Sequence, residues 1–219
     1  MAAKGREKLG TETPLSAEPF VPASTNLADL AAAAAACEGC PLFARATQTV
    51  FGEGPSSARI VLLGEQPGDA EDLDGRPFVG PAGSLLDRAL AAAGLERAGV
   101  YVTNAVKHFS WEPRGKRRIH KKPRQSEIKA CRPWLDAEVH ALRPSVLVCL
   151  GATAVQAVLG SGVTIAAARG RAFDTPRGRV LVARHPSAVL RMRTPDERRR
   201  AFDELVEDLT LAARLTKRE

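Results

Sequence analysis

Four short apolar runs, rich in β-branched residues, alternate along this chain with segments of helical periodicity, and this alternation limits the fold more than any other feature. The runs are Ile60–Leu63, Val100–Thr103, Val146–Leu150 and Val180–Ala183. Strands that are apolar throughout are buried on both faces, which is typical of parallel sheets covered by helices. The sequence therefore predicts an α/β fold, a central four-stranded parallel sheet flanked by helices on both faces.

The helical patterns lie between and after these runs. They cover the residues from Leu27 to Ala36, Ser84–Ala93, Glu127–Leu142, Ala152–Leu159 and Pro195–Leu215. Thr25 or Asn26 is placed to cap the first helix, and Thr194 with Glu197 has the spacing of a capping box for the last. Residues 1–24 are rich in Pro, Ser, Thr and charge. We therefore expect a disordered tail followed by one domain over residues 25–219.

The composition favours a cytoplasmic bacterial protein that acts at the nucleoid and does not bind membranes. No apolar run reaches the roughly 18 residues that cross a bilayer, and the first residues lack the apolar stretch of a secretory signal. The formal net charge is +7, a common property of nucleic-acid binders but a weak indication alone. The sequence thus excludes a membrane-spanning protein and leaves an anionic partner open.

The positive charge is concentrated in one segment. Between Lys107 and Arg124 there are eight Lys or Arg residues and one acid, Glu112. The rings among them are those of His108, Phe109, Trp111 and His120. Rings can stack on unpaired bases while the cations neutralise phosphates, so this mixture favours nucleic acid over the alternative, a solvated loop.

Polar residues follow each predicted strand at the point where it ends. They lie in Gly64-Glu65-Gln66-Pro67-Gly68, at Asn104, at Gly151 and in Arg184-His185-Pro186-Ser187. In open parallel sheets, ligands bind outside the carboxyl ends of the strands. The sequence therefore predicts an active site at this edge, where a carboxylate, two amides and a histidine converge.

The four cysteines, Cys37, Cys40, Cys131 and Cys149, form a 2+1+1 pattern that begins with Cys-x-x-Cys. Disulfides are disfavoured in the cytosol, and a structural zinc site usually needs a second Cys-x-x-Cys unit, which is missing here. Four thiolates suit a [4Fe–4S] cluster, which takes one ligand at each iron. A redox pair with two core cysteines is the alternative, and Cys149, inside an apolar strand, is the weakest ligand candidate.

The ordered set of motifs resembles the iron–sulfur uracil-DNA glycosylases, and within them the X type, UdgX. The resemblance runs from about Cys37 to the last helix. It rests on the cysteine pattern, the 64–68 loop, the 75–83 segment GRPFVGPAG, the 101–108 segment YVTNAVKH and the His185-Pro186-Ser187 loop. Gln66, where ordinary members usually have Ala, and the 116–120 loop KRRIH indicate the X type.

This resemblance implies a role for each matching residue. Catalytic roles fall to His120, Glu65, His185 and Gln66; substrate contacts to Phe78, Asn104, Gly64, Gly68, Asp69 and Ser187; DNA contacts to Lys116, Arg117, Arg118, Lys121 and Arg184; and cluster ligation to Cys37, Cys40, Cys131 and Cys149. It also implies excision of uracil from DNA, preferably single-stranded, by a monomer. His120 is expected to attack the sugar and remain covalently attached.

Two other functions are compatible with the same residues. An ordinary hydrolytic uracil-DNA glycosylase would release an abasic site and turn over. A non-catalytic iron–sulfur protein that binds nucleic acid would explain the charge and the cysteines. It would leave the convergence of Glu65, Asn104 and His185 unexplained, since each would then be an ordinary loop or turn residue.

Overall fold

A computed structural model describes residues 15–216 of the chain. In that part of the chain the strands are β1 (Ile60–Gly64), β2 (Tyr101–Asn104), β3 (Trp111–Arg114), β4 (Arg117–His120), β5 (Val146–Leu150), β6 (Ala172–Thr175) and β7 (Gly178–Ala183). The α-helices are α1 (Leu27–Ala34), α2 (Asp69–Asp74), α3 (Pro81–Ala92), α4 (Gln125–Leu142), α5 (Ala152–Leu159), α6 (Ile165–Ala168), α7 (Pro186–Leu190) and α8 (Pro195–Thr216). None of these helices is both long and apolar enough to cross a bilayer.

The main sheet confirms the predicted α/β fold with one difference. Its order is β2-β1-β5-β7-β6, and β1, β2, β5 and β7 are the four predicted parallel strands. The fifth strand, β6, pairs antiparallel with β7 at the edge. Its residues alternate between exposed and half-buried, so β6 lacks the apolar run that marks the others. The predicted sheet of four strands is therefore corrected to five.

Two apolar cores lie on opposite faces of the sheet, because successive side chains of a strand point to opposite sides. Leu62 and Val148 pack on one face with α3, α7 and α8. Leu63 and Leu147 pack on the other face with α4, α5 and α6. The result is the three-layer arrangement that the sequence predicts, with the carboxyl ends of the parallel strands left free for a site.

The helix ends follow the expected chemistry. The Asn26 side chain accepts a hydrogen bond from the Ala28 N–H at 2.8 Å, so Asn26 is the cap of α1. At the start of α8, Thr194 and Glu197 exchange side-chain-to-backbone hydrogen bonds of 3.0 and 3.2 Å, which confirms the capping box.

The predicted disordered tail over residues 1–24 falls partly outside the described residues, which begin at 15. From there onwards the prediction is wrong, because the segment packs on the domain. Ala17 is buried, and its N–H donates to the Ala130 carbonyl of α4 at 2.8 Å. A single 3-10 turn, Glu18–Phe20, follows. The sequence did not indicate this contact, because the segment is mostly polar and the contact needs only one small apolar residue, Ala17.

Candidate active site

A cavity of about 590 Å³ opens at the carboxyl ends of the parallel strands. Of the predicted site residues, its wall contains Glu65, Gln66, Gly68, Phe78, Asn104, His120, Arg184, His185 and Ser187. It also contains residues that the sequence did not single out, among them Glu71, Ala82, Ile165 and Arg191. The structure therefore gathers the loops after β1, β2, β5 and β7 around one space large enough for a nucleobase and part of its sugar.

Two glycines let the loops approach one another at the base of this cavity. A Cβ on Gly64 would lie 2.3 Å from Asn104 Oδ1 and 2.7 Å from Phe78 Cζ. Gly151 has a φ of +90°, and a Cβ there would lie 2.9 Å from the Cβ of His185. Gly64 thus provides room for the side chains of its neighbours, and Gly151 allows the turn after β5 to touch His185.

Glu71 joins the two glycine-rich loops, and sequence reasoning missed it. One of its carboxylate oxygens accepts from the Gly68 N–H at 3.1 Å, and the other accepts from the Gly80 N–H at 2.9 Å. Phe78, between these loops, has a φ of 58°, which is uncommon for a residue with a side chain. The Gly68–Glu71 spacing, that of a capping box, was the available signal.

Asn104 and Phe78 form one side of the cavity. Asn104 is buried at the end of β2, in register with Gly64 of β1. Its backbone carbonyl accepts a hydrogen bond from the buried Lys107 Nζ at 2.9 Å, which fixes the strand end. The Phe78 ring lies 6.1 Å from the His185 ring, at an interplanar angle of 28°. A buried amide and a flat aromatic surface are therefore available to one planar ligand.

His185 is held as a neutral imidazole. Burial lowers its pKa to about 4, although Glu65 acts in the opposite direction. The Ser187 N–H donates to Nδ1 at 3.1 Å, so Nδ1 is an acceptor and the proton of the neutral ring belongs on Nε2. Ser187 therefore orients His185, whose Nε2–H is a neutral donor.

Glu65 and His120 face each other in the cavity wall, and His120 Nε2 lies 3.3 Å from Glu65 Oε1. The other oxygen, Oε2, accepts a short hydrogen bond from Thr153 Oγ1. Burial acts to raise the pKa of Glu65, but the hydrogen bonds from His120 and Thr153 oppose this effect, and the pKa lies below its usual value. Glu65 is thus a carboxylate at neutral pH, beside a half-exposed imidazole.

Gln66 lines the cavity, and its side-chain amide also closes the base of a hairpin. Its Nε2 donates to the carbonyls of Ser110 and Lys121 at 3.1 Å each, and its Oε1 accepts from the Ser110 N–H at 3.0 Å. The hairpin formed by β3 and β4 carries His120 at its end. Gln66 therefore holds the strand that bears His120, and its predicted catalytic role stays a prediction.

Arg118 and Asp69, which were predicted to contact DNA and substrate, also secure this hairpin. Arg118 Nε lies 2.5 Å from Asp69 Oδ1, and its Nη1 lies 2.6 Å from Asp72 Oδ2. The guanidinium also sits over the rings of Phe109 and Trp111. Arg118 is therefore already engaged with acids of the protein rather than free for phosphate, and Asp69 pairs with it outside the cavity wall.

The remaining predicted DNA contacts differ in availability. Lys116 and Arg117 are exposed at the turn of the hairpin, and Lys121 lies 3.4 Å from Glu112 in a surface ion pair. Arg184 lines the cavity, but its Nη2 lies 2.8 Å from Glu204 of α8. Exposed ion pairs of this kind are weak, so Lys121 can exchange Glu112 for a phosphate more easily than Arg118 can leave its two acids.

The chain matches known proteins over most of its length. The family model described as "Uracil DNA glycosylase superfamily" matches residues 51–210. A type-4 uracil-DNA glycosylase of Thermotoga maritima is 40% identical over 171 residues, 77% of this chain and 85% of that protein. The chain belongs to the uracil-DNA glycosylase superfamily. A type-4 uracil-DNA glycosylase of Archaeoglobus fulgidus is 37% identical, covering 75% and 83%, and a type-5 enzyme of Pyrobaculum aerophilum is 32% identical, covering 61% and 63%.

Three of the four cysteines of this superfamily member lie together. Cys131 Sγ accepts the Lys107 N–H and Cys37 Sγ accepts the Trp134 indole N–H, both at 3.2 Å. Burial raises the pKa of Cys131 to about 12; Lys107 lowers it, and Cys40 and Cys37 add to the rise. Cys37, Cys40 and Cys131 are thus close enough to interact and have N–H donors for their sulfurs, as cluster ligands do.

Cys149 does not join them. It lies in β5, in register with Leu63 and Val182, and packs in the core on that face of the sheet. Burial raises the pKa of its thiol, and the charged group acting on it is Arg177, not another cysteine. The structure therefore brings three of the four predicted ligands together and places Cys149 apart from them. Among residues 15–216, no three His, Cys, Asp or Glu side chains are arranged around a single metal ion.

Proposed function

We propose that this protein excises uracil from DNA by breaking the N-glycosidic bond, and that His120 then holds the sugar covalently. The observation that carries the proposal is the facing pair of Glu65 and His120, in a cavity that also contains a neutral His185 and a buried Asn104. An acceptor, two donors and a nucleophile are the groups that removal of a base requires.

Recognition of uracil rests on Asn104 and Phe78. A base inside a duplex is out of reach, so the nucleotide enters the cavity flipped out or from a single strand. The Asn104 side chain can donate from its NH₂ to a uracil carbonyl and accept the neighbouring N–H at its oxygen. Cytosine has an amino group in place of that carbonyl. This amino group would face the Asn104 NH₂, and two donors repel each other. Phe78 supplies a flat face against which the base can stack.

Cleavage moves the electron pair of the glycosidic bond onto uracil. The Nε2–H of His185 is a neutral donor for the oxygen on which this negative charge develops. The sugar left behind has cationic character, and the Glu65 carboxylate in the same cavity can stabilise it. Both groups are held in the required ionisation state before the substrate arrives.

The covalent step follows from the contact between His120 and Glu65. One ring nitrogen of neutral His120 forms a bond to the anomeric carbon while the bond to uracil breaks. The proton on its other nitrogen passes to Glu65, so the product imidazole is neutral and uracil leaves with the bonding electrons. The 3.3 Å separation of the His120 and Glu65 side chains supports this transfer. Gln66 and the hairpin loop motif support assignment to the X type of the superfamily.

The hydrolytic reaction is the competing function, in which water takes the place of His120. Incubation with a uracil-containing single-stranded oligonucleotide, followed by a denaturing gel, separates the two. We expect wild type to give one heat-stable adduct per chain and His120→Gly to release uracil without an adduct, because the vacated space admits water. Many turnovers of wild type without an adduct would establish the hydrolytic reaction. The control is His140→Gln, which removes a histidine at an exposed position of α4 and should leave the adduct unchanged.

The DNA substrate is preferably single-stranded, bound by a monomer in the cytoplasm. Removing a base from a single strand avoids the cost of unpairing it. Lys116 and Arg117, exposed on the hairpin turn next to His120, are suitable phosphate contacts. Arg191, in the cavity wall, is a further cation at this mouth.

A [4Fe–4S] cluster is the cofactor that we propose for the three clustered cysteines, with a role in stability. When bound, it would connect the Cys37–Cys40 turn to α4 through Cys131. The fourth ligand is then a residue other than Cys149. His108 is buried beside this group: its Nε2 lies 2.9 Å from Thr49 Oγ1, which also donates to the Ala34 carbonyl next to the turn of Cys37. We assign the fourth position to His108.

A further inference from the structure

Thr153 is the residue behind Glu65, on the side away from His120. It is fully buried near the start of α5, and its Oγ1 donates a short hydrogen bond to Glu65 Oε2. The remaining oxygen, Oε1, is the one that faces His120 at 3.3 Å. The carboxylate is therefore held between a hydroxyl on one side and an imidazole on the other.

The position of Thr153 in its helix leaves this hydroxyl available. Inside a helix, a threonine hydroxyl commonly donates to the carbonyl four residues earlier. Thr153 is the second residue of α5, and Cys149, four residues earlier, belongs to strand β5. The hydroxyl accordingly turns to Glu65, whose loop follows the neighbouring strand β1.

We infer that Thr153 is a positioning residue for the reaction: it fixes the rotamer of Glu65 and keeps one carboxylate oxygen directed at His120. This inference rests on the proposed function, since it assumes that Glu65 acts in glycosidic cleavage. The groups facing Glu65 are His120 from β4 and His185 from the turn before α7. His120 contacts Oε1, and the hydrogen bond to Oε2 comes from Thr153.

Loss of the hydroxyl has two measurable consequences. Without it the carboxylate can rotate away from His120 and from the sugar, which slows cleavage at every pH. The hydrogen bond from Thr153 also favours the charged form of Glu65. Its removal therefore moves the acid limb of the pH–rate profile to higher pH, since Glu65 is then protonated more easily.

The test is single-turnover release of uracil by the full-length protein, measured between about pH 4 and about pH 8. Thr153→Val keeps the shape and removes the hydroxyl, while Thr153→Ser keeps the hydroxyl and removes a methyl group. We expect Thr153→Val to slow the plateau roughly tenfold and to shift the acid limb upwards. Thr153→Ser should restore both features even if its melting temperature falls.

A double-mutant comparison identifies the residue through which Thr153 acts. In the Glu65→Gln background, Thr153→Val should cause no further loss of rate, because the carboxylate that it positions is gone. Wild-type rate and pH profile in Thr153→Val, or full additivity of the two changes, would overturn the inference. Thr153→Ala serves in place of Thr153→Val if the valine variant does not fold.

The test of Thr153 can succeed or fail independently of the proposal that His120 becomes covalently attached. If wild type releases uracil and turns over without an adduct, covalent attachment is refuted, but the release rates still report on Thr153. If Glu65→Gln releases uracil at the wild-type rate, the proposed role of Glu65 and the inference about Thr153 are both refuted.

Discussion

Asn104 and His185 meet in the cavity from two different strand ends, and both are held by their neighbours. Lys107 donates to the Asn104 carbonyl at 2.9 Å, and the Ser187 N–H donates to His185 Nδ1 at 3.1 Å. The strand end that carries Asn104 and the ring of His185 are thus fixed in the absence of ligand. Groups that are fixed in advance lose little entropy on binding, so we expect the proposed read-out of the base to need no large rearrangement.

Replacing Asn104 by Asp should weaken selection for uracil. The carboxylate removes the donor to the uracil carbonyl and adds repulsion, and a mismatched buried polar contact costs about 1–3 kcal/mol. We expect kcat/KM on uracil-containing single strands to fall roughly tenfold to a hundredfold. Asn26→Asp, at the cap of α1, is the matched control because Asp also caps helices. Full activity of Asn104→Asp on uracil would show that another group reads the base.

The residues that could be predicted at this scale are those placed by topology. Glu65, Asn104 and His185 each follow a parallel strand, so strand ends alone bring them together. Glu71 and Thr153 could not be recognised in the same way, because each lies inside a helix. The signal for Glu71 was its spacing from Gly68, whereas Thr153 contacts Glu65, which is distant in sequence. The ion pairs of Arg118 with Asp69 and Asp72 could not be predicted, because a basic residue in a basic segment gives no indication of the acids beside it.

The hairpin of β3 and β4 is the element that carries His120, the proposed nucleophile. Its base is closed by Gln66, and Arg118 ties its second strand to Asp69 and Asp72. Trp111 Nε1 donates to the Arg45 carbonyl at 2.8 Å, which joins the hairpin to the segment after Cys40. The sequence predicted only a basic loop here, since two short strands of charged residues lack the apolar alternation of a half-buried hairpin.

Gln66→Ala should impair attachment more than base release. The change leaves the Ser110 N–H without its acceptor and frees the base of the hairpin, so that His120 loses its fixed distance to Glu65. We expect the rate of adduct formation to fall roughly tenfold or more, with a smaller effect on uracil release. Rapid-quench kinetics with gel and base-release assays in parallel measure both. Gln125→Ala, at an exposed position of α4, should leave both rates unchanged; equal losses for both steps in Gln66→Ala would contradict this role.

A buried ion pair links the segment after β2 to α4. Lys107 Nζ lies 2.5 Å from Glu138 Oε2, both side chains are almost fully buried, and Tyr101 OH also donates to Glu138. Removing one partner leaves an uncompensated charge, which typically costs about 3–5 kcal/mol. We expect Glu138→Ala to lower the free energy of unfolding in urea by this amount. The double variant Lys107→Met with Glu138→Leu should lower it less, because no buried charge is left unpaired. Glu207→Ala, in an exposed ion pair with Arg169, should change stability by less than about 1 kcal/mol.

At the scale of the whole molecule, the parallel sheet was predictable and its edges were not. The four buried strands are apolar throughout, so both their number and their shared direction follow from the sequence. The edge strand β6 and the docked segment that begins before Ala17 bury few residues, and their polar composition resembles that of a loop or tail. The separation of Cys149 from the other three cysteines could not be predicted either, because a buried cysteine in a strand is indistinguishable by spacing from a ligand.

The cysteine assignment predicts different results for two conservative changes. Purified protein should contain iron and sulfide at about four each per chain, with broad visible absorption. Cys131→Ala should abolish the colour and lower the melting temperature, because α4 loses its link to the Cys37–Cys40 turn. Cys149→Ala should keep both the iron and the colour, and His108→Ala should lose them. Loss of iron in Cys149→Ala alone would restore the four-cysteine set.

The identity of the attached residue is the most direct test of the account. After incubation with a uracil-containing single strand and nuclease digestion, the protein is cleaved into peptides and analysed by mass spectrometry. The account predicts a deoxyribose phosphate remnant on His120, stoichiometric with chain and absent in His120→Gly, which still releases uracil. A remnant on another residue, or an adduct that persists in His120→Gly, would contradict it.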